Sequence, residues 1–90
     1  MWEELTKRIQ RKIIGSQVQV IDCDNSNDKR LAEIYKGSFL IVVTWDHNGT
    51  PYCFRQLIRK DICDQMPGEV LLDHLTADIS RQIDSIVRGS

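Results

Sequence analysis

The chain has 90 residues, 41% of them apolar and 28% charged, with a formal net charge of −1. That length builds one domain, 1–90, with a core just large enough to fold alone, and the composition excludes a disordered chain. A net charge so near zero signals neither a nucleic-acid partner nor an acidic mimic.

Residues 1–14 predict a helix. Trp2, Leu5, Ile9 and Ile13 form one stripe, and Lys7, Arg8, Arg11 and Lys12 fall on the opposite side. Glu3 and Glu4 suit the positive end of the helix dipole, and each stands four residues before Lys7 or Arg8. Gly15 is a good stop. Residues 17–23, QVQVIDC, alternate and are β-rich, which predicts a strand. A polar loop, 24–28, follows.

Residues 29–35 fit two patterns. As a helix they have Asn27 as cap, Leu31, Ile34 and Tyr35 on one side, and Gly37 as stop. As a strand they set Leu31, Glu33 and Tyr35 on one face and Ala32 and Ile34 on the other. The helix would require a β–α–β crossover near the lower length limit for such links. Adjacent hairpins require only neighbouring strands, so the strand is the preferred expectation.

Residues 38–59 organise the chain. They read SFLIVVTWD, HNGT, PYCFRQLIR, and Asn48-Gly49 predicts a two-residue type I′ hairpin turn. Such a turn sets His47 opposite Thr50 and runs the pairs back to Leu40 opposite Leu57. Alternation then gives a core face of Phe39, Ile41, Val43, Trp45, Tyr52, Phe54 and Ile58. The second face carries Leu40, Val42, Thr44, Cys53, Arg55 and Leu57, more apolar than an ordinary wet face. Pro51 has no N–H to give a ladder, so this strand belongs at a sheet edge.

Residues 60–68 connect, with a helical turn begun by Asp61 and a break at Pro67-Gly68. Residues 69–88 predict a long helix of about 30 Å. Leu72, Leu75, Ile79, Ile83, Ile86 and Val87 form its apolar stripe. The expected fold is α+β: an N-terminal helix, an antiparallel meander of three to four strands, and a long C-terminal amphipathic helix packed on the sheet. This layout resembles that of double-stranded-RNA-binding domains. Those domains have a lysine-rich start to the last helix, whereas here it reads Gly68-Glu69-Val70-Leu71-Leu72-Asp73. In size and element order the chain also resembles several small phage-encoded inhibitors of CRISPR nucleases.

Candidate chemistry is thin. Cys53, His47 and Asp46 near one hairpin end supply the residue types of an activated thiol, but Cys53 reads better as a small half-buried hydrophobe. Cys23, Cys53, Cys63, His47 and His74 lack metal-ligand spacing. Asp22, Glu33 and Lys36 match a metal-dependent nuclease set only loosely. All five glycines are isolated, so no phosphate loop exists. No cofactor or metal is expected. Three cysteines without close pairing suit reduced thiols in the cytoplasm. The N-terminus opens on the amphipathic pattern rather than on a signal peptide. The longest apolar run, 39–43, is too short for a membrane span.

The expected function is that of a small non-catalytic cytoplasmic binding protein. It would be an adaptor or inhibitor, of the kind found in phages and other mobile elements. It would dock a sheet face or edge on a protein partner, or on its own copy as a homodimer. Leu40, Val42, Thr44, Arg55 and Leu57 are the candidate contacts. The alternative is an RNA- or DNA-binding module using Lys7, Arg8, Arg11, Lys12, Arg55, Arg59 and Lys60 against phosphates.

Overall fold

Asn48 and Gly49 take φ of 52° and 80°, so the hairpin closes in the two-residue turn that only such residues accept readily. The computed structural model describes residues 1–89. Helix α1 (Trp2–Lys12) leads into strand β1 (Gln17–Asp22), a 3-10 turn (Cys23–Asn25) and helix α2 (Lys29–Ile34). Strands β2 (Ser38–His47) and β3 (Thr50–Arg59) follow, then helices α3 (Lys60–Gln65) and α4 (Gly68–Arg88). The β2–β3 register matches the sequence expectation from His47↔Thr50 to Leu40↔Leu57. β1 lies antiparallel on the other side of β2, with Val18↔Val43 and Val20↔Ile41. The sheet order is β1-β2-β3, so β3 is an edge strand, as Pro51 requires.

Both long helices pack on one side of this sheet. Leu5 and Ile9 of α1, and Leu71, Leu72, Leu75, Ile79 and Ile83 of α4, meet Ile41, Val43, Trp45, Phe54 and Ile58. The core face is therefore the one the alternation predicts. Trp2 meets Phe39 edge-to-face at 5.0 Å, and Trp45 stacks on Tyr52 at 5.4 Å. Arg8 ties α1 to α4 through Asp73, at 2.6 Å. The α4 stripe sits slightly differently from expectation. Leu71 is buried, while Ile86 is 38% exposed and the next residue, Val87, packs against the core.

Residues 29–35 are not a strand. They form α2, capped by Asp28, whose carboxylate accepts from the Arg30 N–H at 2.9 Å. Ser26 Oγ in turn accepts from the Asp28 N–H at 3.1 Å. The crossover objection does not arise, because β1 and β2 are antiparallel neighbours. The link returns to the same end of the sheet, and a short capped helix spans it.

A charged staple fixes that end. Lys60 Nζ bonds Asp22 at 2.7 Å and Asp24 at 2.9 Å, and lies 5.1 Å from the centre of the Phe39 ring. Asp24 also accepts from the Gly37 N–H at 2.9 Å. One cation thus joins the end of β3 to the β1–α2 link. The Lys60 hydrogen bond holds the Asp22 carboxyl below its ordinary value. The Gly37 N–H, then Lys60, do the same for Asp24. Lys60 is raised by the same two carboxylates.

Two outcomes follow for stability. Gly49→Val forces a β-branched residue into positive φ and should lower unfolding free energy by roughly 1–3 kcal/mol, read from urea denaturation. The staple carboxylates titrate lower in the folded than in the unfolded chain. Their contribution is whole above about pH 4 and is lost as pH falls below it. Between pH 5 and pH 2 the wild-type urea midpoint should fall more steeply than that of an Asp22→Asn/Asp24→Asn variant.

Candidate functional site

With both long helices on the core face, the second face of the sheet lies open. Strand parity places Gln17, Gln19 and Ile21 of β1, Leu40, Val42 and Thr44 of β2, and Cys53, Arg55 and Leu57 of β3 on it. The five candidate contacts Leu40, Val42, Thr44, Arg55 and Leu57 are brought together there. Leu57 is 41% exposed. α2 supplies a wall at one end: Leu31 and Tyr35 join Gln19, Ile21, Leu40, Val42, Arg55 and Leu57 around a recess of about 650 Å³. A second recess of about 420 Å³ continues the groove towards the hairpin turn, past Gln17, Thr44, Pro51 and Cys53.

Sequence reasoning missed Ile21, Leu31 and Tyr35 at this site. The i, i+4 spacing of Leu31 and Tyr35 was the available signal, hidden once the segment was read as a strand. Ile21 became assignable only with the β1–β2 register, which nothing local in the sequence sets.

The basic candidates are not gathered into one patch of free cations. Arg8 is held by Asp73 and Glu4, and Asp73 raises its pKa first. Arg59 pairs with Asp61 at 2.8 Å, and Lys60 is consumed by the staple. Lys7, Arg11 and Lys12 remain exposed on α1. Arg55 is exposed on the edge strand of the open face, beside Val42 of the central strand, and no carboxylate stands within ion-pair distance of it among the described residues.

The candidate thiol chemistry is not assembled either. Cys53 and Asp46 share the second face, while His47 has the parity of the core face and lies 6.4 Å from the Tyr52 ring. Asp22 is taken by Lys60 and Asn25, apart from the exposed Glu33 and Lys36. Among the described residues no three His, Cys, Asp or Glu side chains group as metal ligands. Among the described residues no helix is long and apolar enough to cross a membrane.

No family model, curated protein or solved structure matches this chain.

All three cysteines are free thiols, and their surroundings order their reactivity. Cys53 is exposed, whereas burial pushes up the thiols of Cys23, which is fully buried, and of Cys63, which is half-buried. Under native conditions a thiol reagent should label Cys53 first and Cys23 last, read by peptide mapping. In denaturant all three should react at similar rates.

Proposed function

We propose that this chain is a small non-catalytic binding protein, adaptor or inhibitor in type, that docks on a protein partner through the second sheet face. One observation carries the reading: both long amphipathic helices lie on the opposite face, so the apolar centre of the sheet has no cover from them. An exposed apolar patch on a small domain usually marks an interface. Its composition also fits, with aliphatic side chains around an arginine and no other charge nearby on the central strand. Arg55 defines the partner's chemistry. Its planar head seeks a carboxylate, and it stands opposite Val42 in the ladder. The complementary surface is aliphatic with an acidic group where it meets the β3 edge.

Val42→Lys tests this. Val42 is partly exposed on the open face and outside the core cluster, so circular dichroism and melting temperature should stay close to wild type. Capture from a nuclease-treated extract of the source organism should yield a protein that wild type and Lys12→Ala retain and Val42→Lys loses. With that protein purified, Val42→Lys should weaken binding by about 2 kcal/mol or more, roughly thirtyfold. Unfolding of Val42→Lys, or undiminished capture, overturns the reading. Dissociation of a wild-type dimer by the same change identifies the partner as a second copy.

A further inference from the structure

The open face ends at β3, and the two are built to be used together. Lys60 N–H donates to the Gly37 carbonyl at 2.8 Å, which fixes the phase of the β2–β3 ladder. In an antiparallel pair, residues alternate between bonding the neighbour and turning their N–H and C=O away. Tyr52, Phe54, Gln56 and Ile58 therefore bond β2, and Cys53, Arg55 and Leu57 turn their backbone outward. Pro51 falls in the outward set, where its missing N–H costs the ladder nothing. The residues that offer backbone groups along the edge are thus the same ones whose side chains lie on the open face. Beyond the edge, on the helix side, runs a second groove of about 580 Å³ between β3 and α4. Its apolar lining includes Ile58, Ile62, Met66, Leu71 and Leu75. Leu57 borders this groove and the recess on the open face alike.

Resting on the docking reading above, we propose that the partner's contacting segment is an extended strand that pairs antiparallel with the β3 edge. Successive side chains of an added strand point to opposite faces. Those opposite Cys53, Arg55 and Leu57 would lie on the open face, and those between them would enter the groove against α4. The residue facing Arg55 is acidic, since a cross-strand pair of opposite charge is favoured and one of like charge is not. Its two neighbours are apolar: one faces Phe54, and the other faces Gln56 and enters the groove, whose lining is apolar at Ile58, Ile62 and Leu75 and charged at Asp78 and Arg81. A second copy of β3 is disfavoured by the same rule. In two-fold pairings near the middle of the strand, the two Arg55 side chains fall opposite or two residues apart on one face. β1 offers a shorter edge of six residues beside α1.

The probe is a displayed library of random decapeptides, selected on the immobilised full chain. Selected peptides should carry Asp or Glu between two apolar residues. Arg55→Glu should weaken them at least tenfold. Cys53→Pro, which removes an outward N–H and leaves the ladder intact, should do the same while Cys53→Ala does not. Amide hydrogen exchange on wild type covers the case where Cys53→Pro fails to fold. Peptide should slow Cys53, Arg55 and Leu57 at least tenfold, with Phe54 and Gln56 already slow without it. Failure to enrich any peptide, binding untouched by Cys53→Pro, or no added protection of the outward amides overturns strand addition. Loss with Val42→Lys but not with Cys53→Pro overturns strand addition and leaves face docking standing. Indifference to Val42→Lys overturns face docking itself. Slowing of the outward amides by raised protein concentration alone assigns the edge to a second copy and overturns the proposal.

Discussion

The two-residue turn at Asn48-Gly49 is the constraint on which the rest of the molecule depends. Because side chains alternate with period two, a turn of fixed length decides which face every residue of β2 and β3 occupies. A shift of one residue would leave Ile41, Val43 and Trp45 in the core but carry Phe54 and Ile58 to the other face and bring Arg55 and Leu57 in. The positive φ of both turn residues is therefore the local condition for the global sorting of the sheet. α1 and α4 then have only one apolar face large enough to cover, and they share it.

That sharing creates the functional problem. A three-stranded sheet with two helices on one side has the other side in water. Ordinary sequences answer with polar residues there. This one answers with Gln17, Gln19, Thr44 and Arg55, but also with Ile21, Leu40, Val42 and Leu57. α2 shields one end through Leu31 and Tyr35 and turns a flat surface into a walled groove. The Lys60 staple holds the β1–α2 link against the start of α3, so the wall is anchored where β3 ends. The same staple engages the Lys60 ammonium with two carboxylates.

What could be read from the sequence was what local rules determine. The hairpin register, the core face, the edge placement of β3 and the two long helices each follow from turn chemistry or periodicity within a single segment. The pairing of β1 was not so determined, and residues 29–35 were misread for a related reason. A short helix is excluded there only between parallel neighbours, and β1 and β2 pair antiparallel. Leu71 is buried and Ile86 exposed because a helix stripe read alone does not fix how the helix is rotated against its partner sheet. At the site, the residues of β2 and β3 were legible, and the wall contributed by α2 was not. Only the Arg8–Glu4 pair follows from local spacing; those of Arg8 with Asp73 and of Lys60 with Asp22 and Asp24 join residues distant in sequence, and Arg59–Asp61 bridges a strand end, so composition cannot announce them.

Among the candidate cations, what separates Arg55 from the others is its surroundings rather than its charge. Arg8, Arg59 and Lys60 each have a carboxylate within 3 Å, so using them for a ligand would first break an internal pair. Lys7, Arg11 and Lys12 are free of that cost but stand on a convex helix in full solvent, where an ion pair gains little. Arg55 stands on a partly apolar face between two recesses, beside an unpaired strand edge. A partner that covers Leu40, Val42 and Leu57 must also remove water from around Arg55, and a buried cation left without a counter-charge is strongly unfavourable. If the face docks as proposed, it would disfavour purely apolar partners and favour those that bring a carboxylate. An aliphatic patch alone would bind many surfaces weakly, and one unpaired arginine on its edge strand would make the docking selective.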